Sequence, residues 1–304
     1  FEPLFSKHNH AQLEVYAYSN VIVEDEHTDR FKTYFDKWRD ICTTSDEDAC
    51  RLIRNDQIDI LVDGCGHMRD TRLGVFAQKP APIQITWLGA AWTTGLKQVD
   101  YAMFDPIMAP PEIFTSEEVL RLPRTWAAYR PPKSAQRTRI TPLPALTNGY
   151  LTFGYSGRTE RLNYRVFHTW ARLLACVSDA HLIIDYGCFN DGETRSYYKN
   201  LLADFGVDVN RVTLRHSMDI FKALGDVDIL LDSFPHSGGT MLFDAVWMGV
   251  PPITMASRPP VGRIGASLMT NLGLSDWVVR DEQSYVNRAV AATQDFVRLA
   301  NLRV

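Results

Sequence analysis

Short apolar runs alternate with amphipathic stretches along most of this chain. Residues 227–231 (VDILL) are mostly apolar and partly β-branched, which predicts a strand buried on both faces, as in a parallel sheet. From Thr240 the spacing becomes helical, with Met241, Leu242, Ala245 and Val246 on one face. Gly249 and the Pro251-Pro252 pair stop that helix, and residues 253–255 predict the next strand. Between strand and helix lies DSFPHSGG, a loop with one proline and a glycine pair.

The same alternation runs through the rest of the sequence. In the first half it predicts strands at 13–18, 58–62, 82–88 and 101–104 and helices at 29–35, 46–55 and 71–77, with Ser45 and Asp46 opening the second helix. Residues 131–149, rich in proline and polar residues and without a period, mark a boundary. Beyond it the pattern predicts strands at 151–154, 181–185 and 212–214, and helices at 164–176, 194–205 and 218–224. A helix at 263–272, a strand at 277–279 and one long helix at 281–299 follow. The expectation is an α/β chain of two doubly wound lobes, 1–133 and 150–304, with a linker at 134–149.

Composition narrows the class. The 304 residues suffice for two ordinary domains, and 45% hydrophobic content supports real cores. A net charge of −4 gives no general attraction to nucleic acid or anionic membrane, so neither is an expected partner. Five cysteines without a CxxC pair indicate reduced thiols and a cytoplasmic setting. No apolar run is long enough to cross a bilayer, and no signal peptide is expected. Phe1 is not a methionine, and the opening FEPLF reads as the inside of an element, so the sequence is expected to be a fragment.

Ligands of open α/β sheets bind beyond the carboxyl ends of strands. Four segments fall there: 63–67, 89–95, 155–161 and 232–240. Gly238-Gly239 opens a helix whose free N–H groups and partial positive charge suit an anion, with the Thr240 hydroxyl beside them. Asp244, one turn on, offers a carboxylate to a ribose. His67 follows a strand end, and an imidazole is the side-chain type suited to a general base; its alternative is a loop histidine ordering Asp63 or a backbone carbonyl. Asp226-Val227-Asp228 spells an acidic triplet but precedes a buried strand, so capping and sheet-edge roles are expected and no metal site.

The residues also carry a resemblance. DSFPHSGGTMLFDAVWMGVPPITM followed by GRIGASLMTNLGL, and DILVDGCGH followed by RLGVFAQKPAPIQITWLGAAWTTGLKQVDY, resemble glycosyltransferase family 41, the protein O-GlcNAc transferases and SPINDLY-like proteins. The resemblance spans nearly the whole chain. It implies the glycosyltransferase B architecture, two Rossmann-like lobes facing a cleft. It also implies an inverting, metal-independent transfer of a sugar from a UDP-sugar, UDP-GlcNAc by default, to Ser or Thr of a protein acceptor. No cofactor is implied beyond the sugar nucleotide. Members usually carry tetratricopeptide repeats upstream; no such repeat is visible here.

By position in the motif, Ser237, Gly238, Gly239 and Thr240 match the family's phosphate loop, and Arg161 stands where a lysine usually contacts the diphosphate. Leu88, Gly89 and Thr93 fall in the loop that approaches the donor sugar. There Ala90-Ala91-Trp92 replaces Tyr-Pro-Gly, which implies a changed backbone. The segment 214–221 is shorter than the family's base-recognition loop, with Ile220 where a histidine is common, and His216 is the candidate replacement. His236 occupies a tyrosine or cysteine position and is expected to face the ligand or the loop rather than act as base. Two other readings stay open: a UDP-sugar 2-epimerase, for which only Asp63 and Asp232 suggest the converging carboxylates, and a non-catalytic domain that binds a sugar nucleotide or a partner.

Overall fold

The computed structural model describes Phe1–Arg303. Its contacts divide the chain into two units that meet at Arg130 and Pro131.

The first unit holds α1 (Glu2–Phe5), β1 (Tyr16–Ser19), α2 (Glu26–Lys32), β2 (Lys37–Asp40), α3 (Asp46–Asn55), β3 (Ile60–Asp63), α4 (Leu73–Ala77), β4 (Ile83–Thr86), β5 (Tyr101–Phe104) and β6 (Glu118–Arg121). Helix starts follow local chemistry. The Asp25 carboxylate accepts from the Thr28 N–H, and the Ser45 hydroxyl accepts from the Asp48 N–H. The single sheet expected here is two parallel sheets: β1 pairs with β2, and β3, β4, β5 and β6 run side by side in that order. The sequence KWRD of β2 lacks an apolar alternation, which is why the strand escapes a hydrophobicity reading. A core of Ile41, Cys50, Ile53, Leu61, Val75, Phe76 and Val99 joins α3 and α4 to β3.

The second unit opens with two short helices, α5 (Lys133–Arg137) and α6 (Ala145–Asn148), inside the stretch expected to be irregular. Then come β7 (Thr152–Ser156), α7 (Tyr164–Cys176), β8 (His181–Asp185), α8 (Gly192–Asp204), β9 (Val212–Arg215), α9 (Ile220–Ala223), β10 (Ile229–Leu231), α10 (Thr240–Trp247), β11 (Pro252–Met255), α11 (Ile264–Asn271), β12 (Val278–Val279), α12 (Glu282–Thr293) and α13 (Phe296–Leu302). The long helix expected at the end is two helices, because the Asp295 carboxylate accepts from the Arg298 N–H and starts a new one.

All six strands are parallel, in the order β12-β11-β10-β7-β8-β9. This is the doubly wound order in which the chain leaves the centre in one direction, then returns to build the other half. Its switch point lies between β7 and β10. Trp170, Trp277, Phe153, Leu182 and Tyr285 fill the core. No helix among the described residues is long and apolar enough to cross a membrane.

Candidate active site

The switch point is where the second unit gathers its chemistry. β7 runs into Gly157 and Arg158, then a turn at Thr159–Arg161; β10 runs into Asp232 and the loop to α10. Asn163 ties the two loops. Its side-chain oxygen caps α7, accepting from the Arg165 and Val166 N–H groups, while its amide nitrogen donates to the Phe234 carbonyl at 2.6 Å.

Asp232 builds the β10 loop from below. Its carboxylate, 2% exposed, accepts from the Ser237 hydroxyl at 2.6 Å, the Thr254 hydroxyl at 2.7 Å and the Gly238 N–H at 2.7 Å. Burial pushes its pKa up, and the three donors and the Arg161 charge oppose that. The Ser237 hydroxyl also accepts from the Gly265 N–H at 3.1 Å.

This arrangement commits two of the expected residues to the loop itself. Ser237 is buried and committed to Asp232 and Gly265, so it builds the loop instead of facing a ligand. Gly238 has given its N–H to Asp232, and a Cβ there would lie 2.9 Å from Leu242 Cγ and 3.3 Å from Asp232 Oδ1. Gly238 is therefore a close-packing glycine.

Gly239 is different. Beyond its chain neighbours no protein atom lies within 4 Å of where its Cβ would stand, its φ and ψ are −105° and −115°, and it caps α10 without a side chain to take the first-turn N–H groups. Thr240 beside it is exposed. The uncapped helix start, with its partial positive charge, faces open space.

Two guanidiniums add to that charge. Arg161, expected, and Arg158, not anticipated from the sequence, form no ion pair among the described residues. Burial and then the Arg161 and Arg158 charges push the His236 imidazole down to about 4, so this ring is neutral at pH 7. The two arginine charges thus act, after burial, on the loop that leads to α10. Tyr155 holds the Arg158 backbone by donating its hydroxyl to the Arg158 carbonyl at 2.8 Å, and burial pushes the Tyr155 phenol up to about 12.

Asp244 is 7% exposed, within the second turn of α10. His216 is exposed at the carboxyl end of β9, two strands out from β7. The buried Asp185 carboxylate holds its loop, accepting from Arg215 Nε, the Ser217 N–H and the Ser217 hydroxyl. Asp228 is fully buried and accepts from the Ala145 and Thr152 N–H groups, while Asp226 pairs with Arg215.

In the first unit, the ends of β3 and β4 interlock. The Asp63 carboxylate accepts from the Cys65 and Gly66 N–H groups and the Thr86 hydroxyl. A Cβ on Gly89 would stand 2.4 Å from the Cys65 carbonyl carbon, so only glycine lets the loops touch. Leu88 has φ +68° and Ala91 has φ +49°. A proline, locked near φ −65°, cannot adopt the Ala91 conformation, so this loop has a backbone that a Tyr-Pro-Gly sequence could not follow. His67 is exposed, and its Nε2 lies 3.0 Å from the Thr93 carbonyl. A carbonyl only accepts, so Nε2 carries the proton and Nδ1 of the neutral ring carries the lone pair. Glu117, not anticipated from the sequence, holds that loop: its buried carboxylate accepts from the Thr93 and Thr94 hydroxyls and the Thr94 N–H.

Comparison with known proteins bears on the family and the fold. The profile of Glycosyl transferase family 41 matches residues 3–127 and 161–304. A probable UDP-N-acetylglucosamine–peptide N-acetylglucosaminyltransferase SPINDLY from Solanum lycopersicum is 34% identical over 313 residues, which is 100% of this chain and 33% of that protein. A probable UDP-N-acetylglucosamine–peptide N-acetylglucosaminyltransferase SEC from Arabidopsis thaliana is 24% identical, covering 95% of this chain and 30% of that one. A mutant of the Thermobaculum terrenum O-GlcNAc transferase superposes with a TM-score of 0.94 at 34% identity, over 99% of this chain and 58% of that chain. The chain thus spans about a third of the length of the curated relatives it matches.

Proposed function

The chain belongs to glycosyltransferase family 41 and has the α/β fold of the glycosyltransferase B class; from that premise we propose that it forms the catalytic part of a protein glycosyltransferase. Its donor is a UDP-sugar, with UDP-GlcNAc the default, and its acceptor is a Ser or Thr hydroxyl. Transfer inverts the anomeric carbon and needs no metal. The relatives are named for transfer of N-acetylglucosamine to peptide, which supports the substrate class.

One observation carries the reading: the uncapped start of α10 opens at the topological switch point, beside two guanidiniums without ion-pair partners. In the proposed reaction the acceptor oxygen attacks the anomeric carbon as the bond to the diphosphate breaks. The leaving UDP gains charge, which the N–H groups of Gly239 and Thr240 and the Arg161 fork stabilise. In this reading Asp244 receives the ribose and His216 meets the base. In the first unit, Leu88, Gly89 and Thr93 form the donor-sugar loop. His67 takes the acceptor proton on Nδ1, with its ring oriented by the Thr93 carbonyl.

Incubating the protein with labelled UDP-GlcNAc and cellular protein tests this directly. Label on Ser or Thr is the expected result. Release of an epimerised sugar would replace the reading with an isomerase. Tight UDP binding with neither product would reduce the chain to a binding domain.

A further inference from the structure

Away from the strand ends just described, the first unit holds a second cluster. His8 and His10 lie between α1 and β1, and Asp36 immediately precedes β2. One ligand atom from each of the three comes within 4.8 Å of the others. The two imidazole rings are 3.9 Å apart between centroids.

His8 is the informative member. Its side chain is 5% exposed, and its Nδ1 donates to the Phe5 carbonyl at 2.8 Å. Since the carbonyl only accepts, the proton of the neutral ring sits on Nδ1, and Nε2 presents a lone pair. That Nε2 is buried without a hydrogen-bond partner, 3.7 Å from Asp36 Oδ2. A buried lone pair without a donor is costly. An imidazole whose other nitrogen donates to a backbone carbonyl is also the arrangement that metal-ligating histidines show.

Asp36 is held just as firmly. Its Oδ2 accepts from the Val15 N–H at 2.7 Å, and its own N–H donates to the Val15 carbonyl at 2.9 Å. The remaining lone pairs of the carboxylate face the two rings, with Oδ1 2.9 Å from His10 Nδ1. The His10 side chain is 59% exposed, so its ring can turn and trade the Asp36 hydrogen bond for a metal bond.

We propose that His8, His10 and Asp36 bind one divalent transition-metal ion of the zinc class, with water completing the coordination. Two imidazoles and a carboxylate suit zinc in chemistry and number. Bonds of about 2.0–2.1 Å set tetrahedral ligand atoms about 3.3 Å apart; the exposed His10 ring turns to close its side, and His8 Nε2 and Asp36 Oδ2, 3.7 Å apart, draw slightly closer. The ion clips the segment ahead of β1 to the α2–β2 connection, so its role is structural and independent of sugar transfer.

The test uses untagged protein, stripped with a chelator and dialysed against zinc chloride. About one zinc per chain should be retained, and excess zinc should raise the melting temperature by mass action. His10→Ala removes an exposed ligand without opening the core, and should weaken zinc binding at least about tenfold. His168→Ala, which alters an exposed histidine on α7, should leave binding unchanged. No retained zinc in the parent protein, or equal retention in His10→Ala, overturns the proposal. UDP binding is measured on the same samples, so failure of the metal site is distinguished from failure of the transferase reading.

Discussion

Gly239→Val separates a ligand site from a tight turn. The structure removes one confounder, because beyond its chain neighbours no protein atom lies within 4 Å of the added Cβ. The backbone there, φ −105° and ψ −115°, lies outside the α and β regions that valine favours, so the melting curve reads a folding cost in its own right. The cost to binding is separate. A diphosphate cradled here places its oxygens about 2.7–3.2 Å from backbone nitrogens, in the space the valine methyls would fill. Losing two charge-assisted hydrogen bonds at about 1.5–3 kcal/mol each removes about 3–6 kcal/mol. That corresponds to an affinity loss of about a hundredfold to ten-thousandfold. Calorimetric titration with UDP, paired with a melting curve, reads both effects. Gly238→Ala is the contrast: its Cβ would press on Leu242 and Asp232, so it should lower the melting temperature first. Normal UDP affinity in folded Gly239→Val would refute the anion site at α10.

Arg161→Ala should weaken UDP binding by about 1.5–3 kcal/mol and flatten its salt dependence, and Arg161→Lys should restore part of it; unchanged affinity would remove Arg161 from the site. His67→Ala should lower kcat by about a hundredfold or more while KM for the donor holds, and an unchanged kcat would return His67 to a loop role. Asp56 makes a stability test. Its carboxylate bonds Arg39 and the Tyr18 hydroxyl, and the Arg39 hydrogen bonds hold its pKa below the ordinary 3.8. A depressed carboxylate pKa adds stability above the unfolded-state value, and loses it as pH falls through the folded value. Asp56→Asn should therefore be less stable than the parent at pH 7, and the gap should narrow below pH 3.8. A gap that persists at low pH would assign the loss to packing.

What the sequence showed depended on whether local chemistry and tertiary fate pointed the same way. α3, α7, β5 and β8 begin and end where the pattern places them. Their caps, Ser45 and Asn163, are local, and their apolar faces are buried. β2 and β6 were invisible for the opposite reason. KWRD and EVLR are polar edge strands held by neighbours, so neither carries an alternation to read. The boundary helices α5 and α6 are too short to show a period.

The candidate site divides on the same line. The glycine loop and Arg161 were legible because they are contiguous with strand ends, and the sheet order then places them at the switch point. Which glycine does what was not legible, because the Gly238 N–H is claimed by Asp232 six residues back, while Gly239 remains open. Arg158 and Glu117 were missed because their relevance comes from neighbours far along the chain: His236 for one, Thr93 and Thr94 for the other. His8, His10 and Asp36 are the extreme case. A span of 26 residues separates His10 from Asp36, and only the pairing of β1 with β2 brings that carboxylate to the two rings. Chemistry carried by contiguous residues is readable from sequence, and chemistry assembled across strands waits for the register. Ligand sites at strand ends belong to the first kind because a parallel sheet delivers each loop to the same edge whatever its partners are.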